Sequence, residues 1–290
     1  MQPIQTVARA LVALVAATAG LSATAGQIVT DSMKSDALGG MSVRMNVYLP
    51  DGYNESTGKY PVIYLLHGAS GDENDWTRLG GVAVTLDALI KRGVIRPSIA
   101  VMPSIGPQSW FADGAVHKME TALINEVLPH VESRYKASTA RADRGIAGLS
   151  MGGYGALNLS LKNPSKFCAA GIISPAIYDP LPPETSAARR APQMMRDGKF
   201  DADLWKQLNY PSHLDKYAAQ AQRVPMWIVS GDHDALGIAA MSANLYWRVL
   251  KIQPRQAELR IVDGDHEWAV FRDTLPDALQ YVDRQCKASG

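Results

Sequence analysis

From residue 42 onward the chain alternates short apolar runs with longer segments whose apolar positions recur every three to four residues. Val43, Met45, Val47 and Leu49 alternate with mostly polar neighbours over residues 42–49, the two-residue period of a half-buried strand, and Pro50-Asp51-Gly52 ends it. Residues 60–66, 98–102, 143–147, 167–173 and 224–230 are largely apolar, as expected of strands buried on both faces, and residues 258–262 repeat the pattern. Helical spacing predicts helices over 82–92, 118–135 with a kink at Pro129, 153–162 and 238–250, and a closing amphipathic helix over 268–284 interrupted at Pro276. Strands alternating with helices predict an α/β fold: a mainly parallel sheet, helices on both faces, and a ligand site beyond the carboxyl ends of the strands. Pro180, Pro182, Pro183, Pro192 and Pro211 break residues 178–223 into short pieces, read as an insertion over that site within one domain spanning 26–290.

Composition narrows the picture. With 290 residues, 47% of them hydrophobic, the chain can bury a large core. Its 29 basic and 28 acidic residues are spread without long runs, which argues against a nucleic-acid partner or a polybasic membrane patch and favours a small neutral or weakly charged substrate. Residues 1–25 stand apart: Arg9 precedes the apolar run 10–19, and Ala23-Thr24-Ala25 suits signal peptidase. The apolar run is shorter than the roughly 20 residues that span a bilayer. A cleaved export signal and a secreted or periplasmic protein without stable membrane insertion are therefore expected. Cys168 and Cys286 permit one disulfide without requiring it, and Cys168, in an apolar strand, reads as a small buried hydrophobe rather than a reactive thiol.

The chemistry centres on Gly148-Leu149-Ser150-Met151-Gly152. A strand pattern precedes it and a helical one follows, so Ser150 is expected on a strained strand-turn-helix corner that holds its hydroxyl clear of the backbone. A serine hydroxyl needs a base, and the base needs an orienting group. Two loops after late strands supply them: Gly231-Asp232-His233-Asp234 and Asp263-Gly264-Asp265-His266-Glu267. His266 is the expected base, with His233 its rival; Asp234 is the expected orienting acid, with Asp232 its rival. The order Ser, Asp, His is that of an α/β-hydrolase. His117, His130 and His213 read as solvated, and Asp263 and Asp265 as solvated turn carboxylates rather than metal ligands. For the oxyanion, Met151 offers one backbone N–H and the turn His67-Gly68-Ala69-Ser70-Gly71 a second, from Ala69, with His67 itself a structural residue. No metal or other cofactor is expected.

Leu65-Leu66-His67-Gly68, Glu73-Asn74-Asp75-Trp76, residues 146–155 and Gly264-Asp265-His266-Glu267-Trp268 together resemble the esterase-D-like α/β-hydrolases. That group holds tributyrin, feruloyl and acetyl xylan esterases, S-formylglutathione hydrolases and mycolyltransferases, and the resemblance runs from about Val43 to the C-terminus. It implies the same assignment: Ser150 nucleophile, His266 base, Asp234 acid, Ala69 and Met151 oxyanion donors. It also makes Trp110, in an aromatic loop, a substrate contact, against a reading as a surface aromatic that anchors its own loop. The expected activity is hydrolysis of small carboxylic esters, including acyl or feruloyl esters of sugars. Acyl transfer to a sugar or lipid alcohol and thioester hydrolysis are the alternatives, and a catalytically silent binding fold is a third.

Overall fold

A computed structural model describes residues 25–289, so the expected export segment lies, Ala25 apart, outside the described residues. Eight strands form one sheet: β1 (Gln27–Ser35), β2 (Met41–Leu49), β3 (Val62–Leu66), β4 (Ile99–Ser104), β5 (Arg144–Leu149), β6 (Ala169–Ile173), β7 (Met226–Gly231) and β8 (Ala257–Val262). Their spatial order is β1-β2-β4-β3-β5-β6-β7-β8. The β1/β2 and β2/β4 pairs are antiparallel and the rest parallel, which makes the fold an α/β-hydrolase sheet. Strands β3 to β7 are buried along their whole length, as their continuous apolar runs require.

Two apolar layers flank the sheet. Val82–Lys91 and Trp268–Ala288 cover one face through Leu86, Leu89, Leu275 and Leu279; Met151–Lys162, the segment 119–134 and Ile238–Ile252 cover the other through Leu157, Leu123 and Leu245. Among the described residues no helix is long and apolar enough to cross a membrane.

Two expectations about the helices need correction, and one strand is new. The terminal helix runs unbroken from Trp268 to Ala288 with Pro276 inside it. A proline there removes the bond to the carbonyl of residue 272, but Arg272 lies on the exposed face, where water can take that carbonyl, while Val270, Leu275, Ala278 and Val282 hold the other face down. In the segment 119–134 the irregularity precedes Pro129: Leu123–Val127 forms a π turn, and Pro129 sits in the first turn of the helix that follows, where a missing N–H matters least. Strand β1, unforeseen, pairs with β2 at the sheet edge in a register that sets Met33 opposite Val43.

Cys168, just before β6, and Cys286, in the last helix, form a disulfide with their Cα atoms 5.0 Å apart, tying the C-terminus to the sheet across 118 residues.

His130 and His213 are not solvated. His130 Nε2 lies 2.9 Å from Asp31 Oδ2, and His213 is part-buried with Nε2 3.4 Å from the Leu208 carbonyl. Burial, with Lys162 nearby, pushes the His213 imidazole down to about 4. Its folded value is thus below its unfolded one, so the stability it contributes is complete above the unfolded value and is lost as pH falls from about 6.5 towards 4. Partial exposure trims the effect to about 2 kcal/mol. Urea unfolding at pH 7 and pH 4.5 should show a smaller stability loss in His213→Gln than in the wild type; equal losses would remove His213 as the cause.

Candidate active site

The site is built at the carboxyl ends of β3, β5, β7 and β8. Ser150 follows β5 with φ 53° and ψ −116°, a conformation that costs a residue with a side chain roughly 1–3 kcal/mol. Three backbone bonds hold it there. Ser150 N donates to the Ile173 carbonyl at 2.9 Å, and the Ser150 carbonyl accepts from Tyr154 N at 2.9 Å and Ala176 N at 3.0 Å. The flanking glycines are steric requirements: a β-carbon on Gly148 would overlap the backbone of Gly152, and one on Gly152 would overlap the carbonyls of Leu66 and His67.

The loop after β7 bends Asp234 back towards the serine and the loop after β8 delivers His266. Asp234 Oδ2 lies 2.7 Å from His266 Nδ1, and His266 Nε2 lies 2.8 Å from Ser150 Oγ. Because an ionised carboxylate only accepts, Nδ1 carries the ring proton and Nε2 faces the hydroxyl as an acceptor. The Asp234 side chain is 0% exposed and that of His266 19%, so the pair is shielded while the imidazole edge still reaches the cleft. Asp234 Oδ1 accepts from Leu236 N at 3.0 Å, which fixes the carboxylate plane. The rivals are elsewhere: Asp232 and His233 are both exposed and pair with each other at 2.8 Å.

Asp265, read from sequence as solvated, does more. Although exposed, its Oδ1 accepts from His266 N at 2.7 Å and from Ala235 N at 3.3 Å, clamping the acid and imidazole loops together. Those two backbone bonds, the one to His266 first, hold its carboxyl below the usual range. Asp263 instead joins Asp232 and His233 in an exposed cluster, 3.5 Å from the imidazole. Adjacency to His266 in sequence was the only available signal for Asp265, and it gave no direction for the side chain.

The turn after β3 closes the other side. Gly68 approaches Leu149 so nearly that a β-carbon on it would sit 2.8 Å from Leu149 Cδ1, and it would touch Ser150 Cβ at 3.7 Å. His67, 1% exposed, places Nδ1 2.8 Å from the Gly68 carbonyl, and burial pushes its imidazole down, so the ring stays neutral and donates. The Gly68 carbonyl also accepts from Gly71 N at 3.1 Å, so two donors hold the Gly68–Ala69 peptide that carries the Ala69 N–H. Met151 begins the helix after the serine, where a backbone N–H has no intrahelical acceptor.

These residues surround a cleft of about 260 Å³ lined by Ala69, Trp110, Ser150, Tyr178, His266 and Trp268 among others. Tyr178, Ser186 and Ala187 come from the Pro-rich segment, which Trp205 Nε1 and Asn209 Nδ2 anchor through the Tyr178 carbonyl at 3.1 and 2.7 Å. Trp110 is no surface aromatic. It is 1% exposed, packed edge-on against Tyr154 and Trp205 at 5.2 and 5.6 Å, and it also borders the cleft.

Comparison with known proteins agrees with this architecture. The model of the Esterase family, described as "Putative esterase", matches residues 35–282. An endo-1,4-beta-xylanase/feruloyl esterase of Xylanibacter ruminicola is 34% identical over 164 residues, 53% of this chain and 22% of that protein. An esterase of Mycobacterium tuberculosis is 34% identical over 138 residues, 45% of this chain and 28% of its own length. The chain thus spans only about a quarter of the curated relatives it matches. A solved ferulic acid esterase superposes with TM-score 0.76 at 27% identity, covering 90% of this chain and 98% of the other. The S-formylglutathione hydrolase FrmB of Staphylococcus aureus shares the fold, with TM-score 0.69 at 22% identity over 89% of this chain and 99% of that one. The chain belongs to the esterase family, within the esterase-D-like α/β-hydrolases that its motifs resemble.

Proposed function

We propose that the protein is an exported serine carboxylesterase that cleaves small carboxylic esters through an acyl-enzyme. The observation that carries this reading is the continuous hydrogen-bonded series Asp234–His266–Ser150 on the cleft floor. Ser150 Oγ attacks the ester carbonyl as its proton passes to His266 Nε2, and Asp234 stabilises the imidazolium. The N–H groups of Ala69 and Met151 receive the developing oxyanion; each such donor contributes about 10²–10³-fold to a rate of this kind. Collapse of the tetrahedral intermediate expels the alcohol, protonated by His266, which then draws a proton from the water that releases the acid. Every step uses groups of this chain and needs neither metal nor nucleotide.

Acyl or feruloyl esters of sugars are the substrate class, supported by the feruloyl esterase named among the relatives, with Trp110 and Tyr178 among the residues that border the cleft. Export is supported by the pattern of residues 1–25 together with the Cys168–Cys286 disulfide, a bond that persists in oxidising compartments. Purified protein should hydrolyse short p-nitrophenyl esters, and a fluorophosphonate probe should label Ser150. Failure of both would overturn the assignment.

A further inference from the structure

The two oxyanion donors proposed above lie on different segments, Ala69 on the turn after β3 and Met151 at the head of the helix Met151–Lys162. Their spacing decides whether both can reach one oxygen. A third segment, the loop after β4, touches both. On the turn, Ser70 N donates to the Pro107 carbonyl at 2.7 Å, and the Phe111 ring meets the His67 ring edge-on at 5.4 Å. On the helix, Trp110 N donates to Met151 Sδ at 3.4 Å, and Phe111 fills the notch left by Gly155, where a β-carbon would lie 2.7 Å from Phe111 Cδ2 and 2.8 Å from its Cβ.

The loop makes these contacts through an unfavourable backbone. Trp110 has φ 51° and Phe111 φ 48°, and both residues are 1% exposed. Positive φ is an outlier for a bulky side chain, and here two such residues follow one another. Conformations of this kind persist only where the surroundings over-determine them, and they cluster where function needs a fixed geometry. The far end of the loop is held as well: the Asp113 carboxylate accepts from Thr121 N at 3.0 Å and from Thr121 Oγ1 at 2.6 Å. Phe111 is thus wedged between His67, whose Nδ1 donates to the carbonyl of the Gly68–Ala69 peptide, and the helix that Met151 begins.

We propose that Phe111 is a positioning residue that sets the gap between the two oxyanion donors. The proposal rests on the esterase reading above and adds to it the side chain that spaces the Ala69 and Met151 N–H groups. Loss of the wedge should act on the tetrahedral oxyanion and spare the bound ester. The ester's carbonyl oxygen is neutral and makes weak demands on donor position, whereas full charge develops only once Ser150 has added.

An alkyl trifluoromethyl ketone and the matching methyl ketone test this. With the first, Ser150 Oγ bonds to the carbonyl carbon, the hydroxyl proton passes to His266 Nε2, and the carbonyl π pair becomes an oxyanion facing the two N–H groups; the second binds without adding. In Phe111→Leu, kcat for p-nitrophenyl acetate should fall about 10–100-fold and the trifluoromethyl ketone should bind more weakly by the same factor, while KM and the methyl ketone Ki move by less than about threefold. Gly155→Ala, which keeps the ring but pushes it from its notch, should do the same. A purely structural role would weaken both ketones alike or neither, and either result overturns the proposal. Circular dichroism checks each fold: if one variant is unfolded the other decides, and unfolding of both overturns the proposal by making the wedge a requirement of folding alone. Equal binding of the two ketones by a wild type that hydrolyses the ester overturns the oxyanion geometry on which the proposal stands. Absence of hydrolysis overturns the esterase reading itself, a distinct result.

Discussion

Ser150→Ala is expected to lower kcat for p-nitrophenyl acetate by about 10⁴–10⁶-fold while KM changes little, because in the proposed mechanism the hydroxyl forms the acyl bond and contributes little to ground-state binding. The cleft walls, the two N–H groups proposed for the oxyanion and the imidazole are untouched by the change, so the residual rate should report binding and oxyanion stabilisation alone. Stability separates this effect from misfolding. Alanine at φ 53° has the same unfavourable backbone as serine, so the melting temperature should move by only a few degrees. Ser150→Gly, equally inactive, should be more stable than either by about 1 kcal/mol, since glycine adopts this conformation without a steric penalty. A Ser150→Ala protein retaining a tenth of wild-type kcat would remove Ser150 as nucleophile.

The parts of this site legible in sequence are those that local chemistry enforces. Gly148 is dictated by a clash with the backbone of Gly152 four residues on, and Gly152 by the carbonyls of Leu66 and His67 on the adjoining strand end, yet both flank Ser150 and so appear as a compact motif. Strands β3 to β7 are buried on both faces, and so they appear as continuous apolar runs. Where long-range geometry decides, the signal fades. Strand β1 carries only Ile28, Val29 and Met33 as apolar residues and is defined by its register against β2 rather than by its own pattern. The helix through Pro276 persists because its apolar face is held by the sheet, which outweighs the one lost hydrogen bond. Asp265 looks like any turn carboxylate until the loops after β7 and β8 lie side by side; only then do two backbone donors from different loops converge on it. The cysteine pairing depends likewise on a helix crossing the sheet 118 residues later.

The choice between the two aspartates of the β7 loop gives the second large expectation, and it turns on a proton. In Asp234→Asn the amide must keep satisfying Leu236 N–H, now bound by Oδ1 at 3.0 Å, and only the amide oxygen can do so. That places the NH₂ group against His266 Nδ1, where the native carboxylate accepts at 2.7 Å. The ring nitrogen must then accept rather than donate, the proton moves to Nε2, and the imidazole presents a donor to Ser150 where a base is needed. A shape nearly identical to the native one should therefore lose about 10⁴-fold in kcat, with KM and melting temperature little changed. Asp232→Asn is the matched control. Its carboxylate is exposed, accepts from Gly264 N at 3.1 Å and pairs with His233, so its loss should cost no more than about threefold. Steady-state kinetics of the two variants decide between them, and a larger loss in Asp232→Asn than in Asp234→Asn would move the orienting role to Asp232.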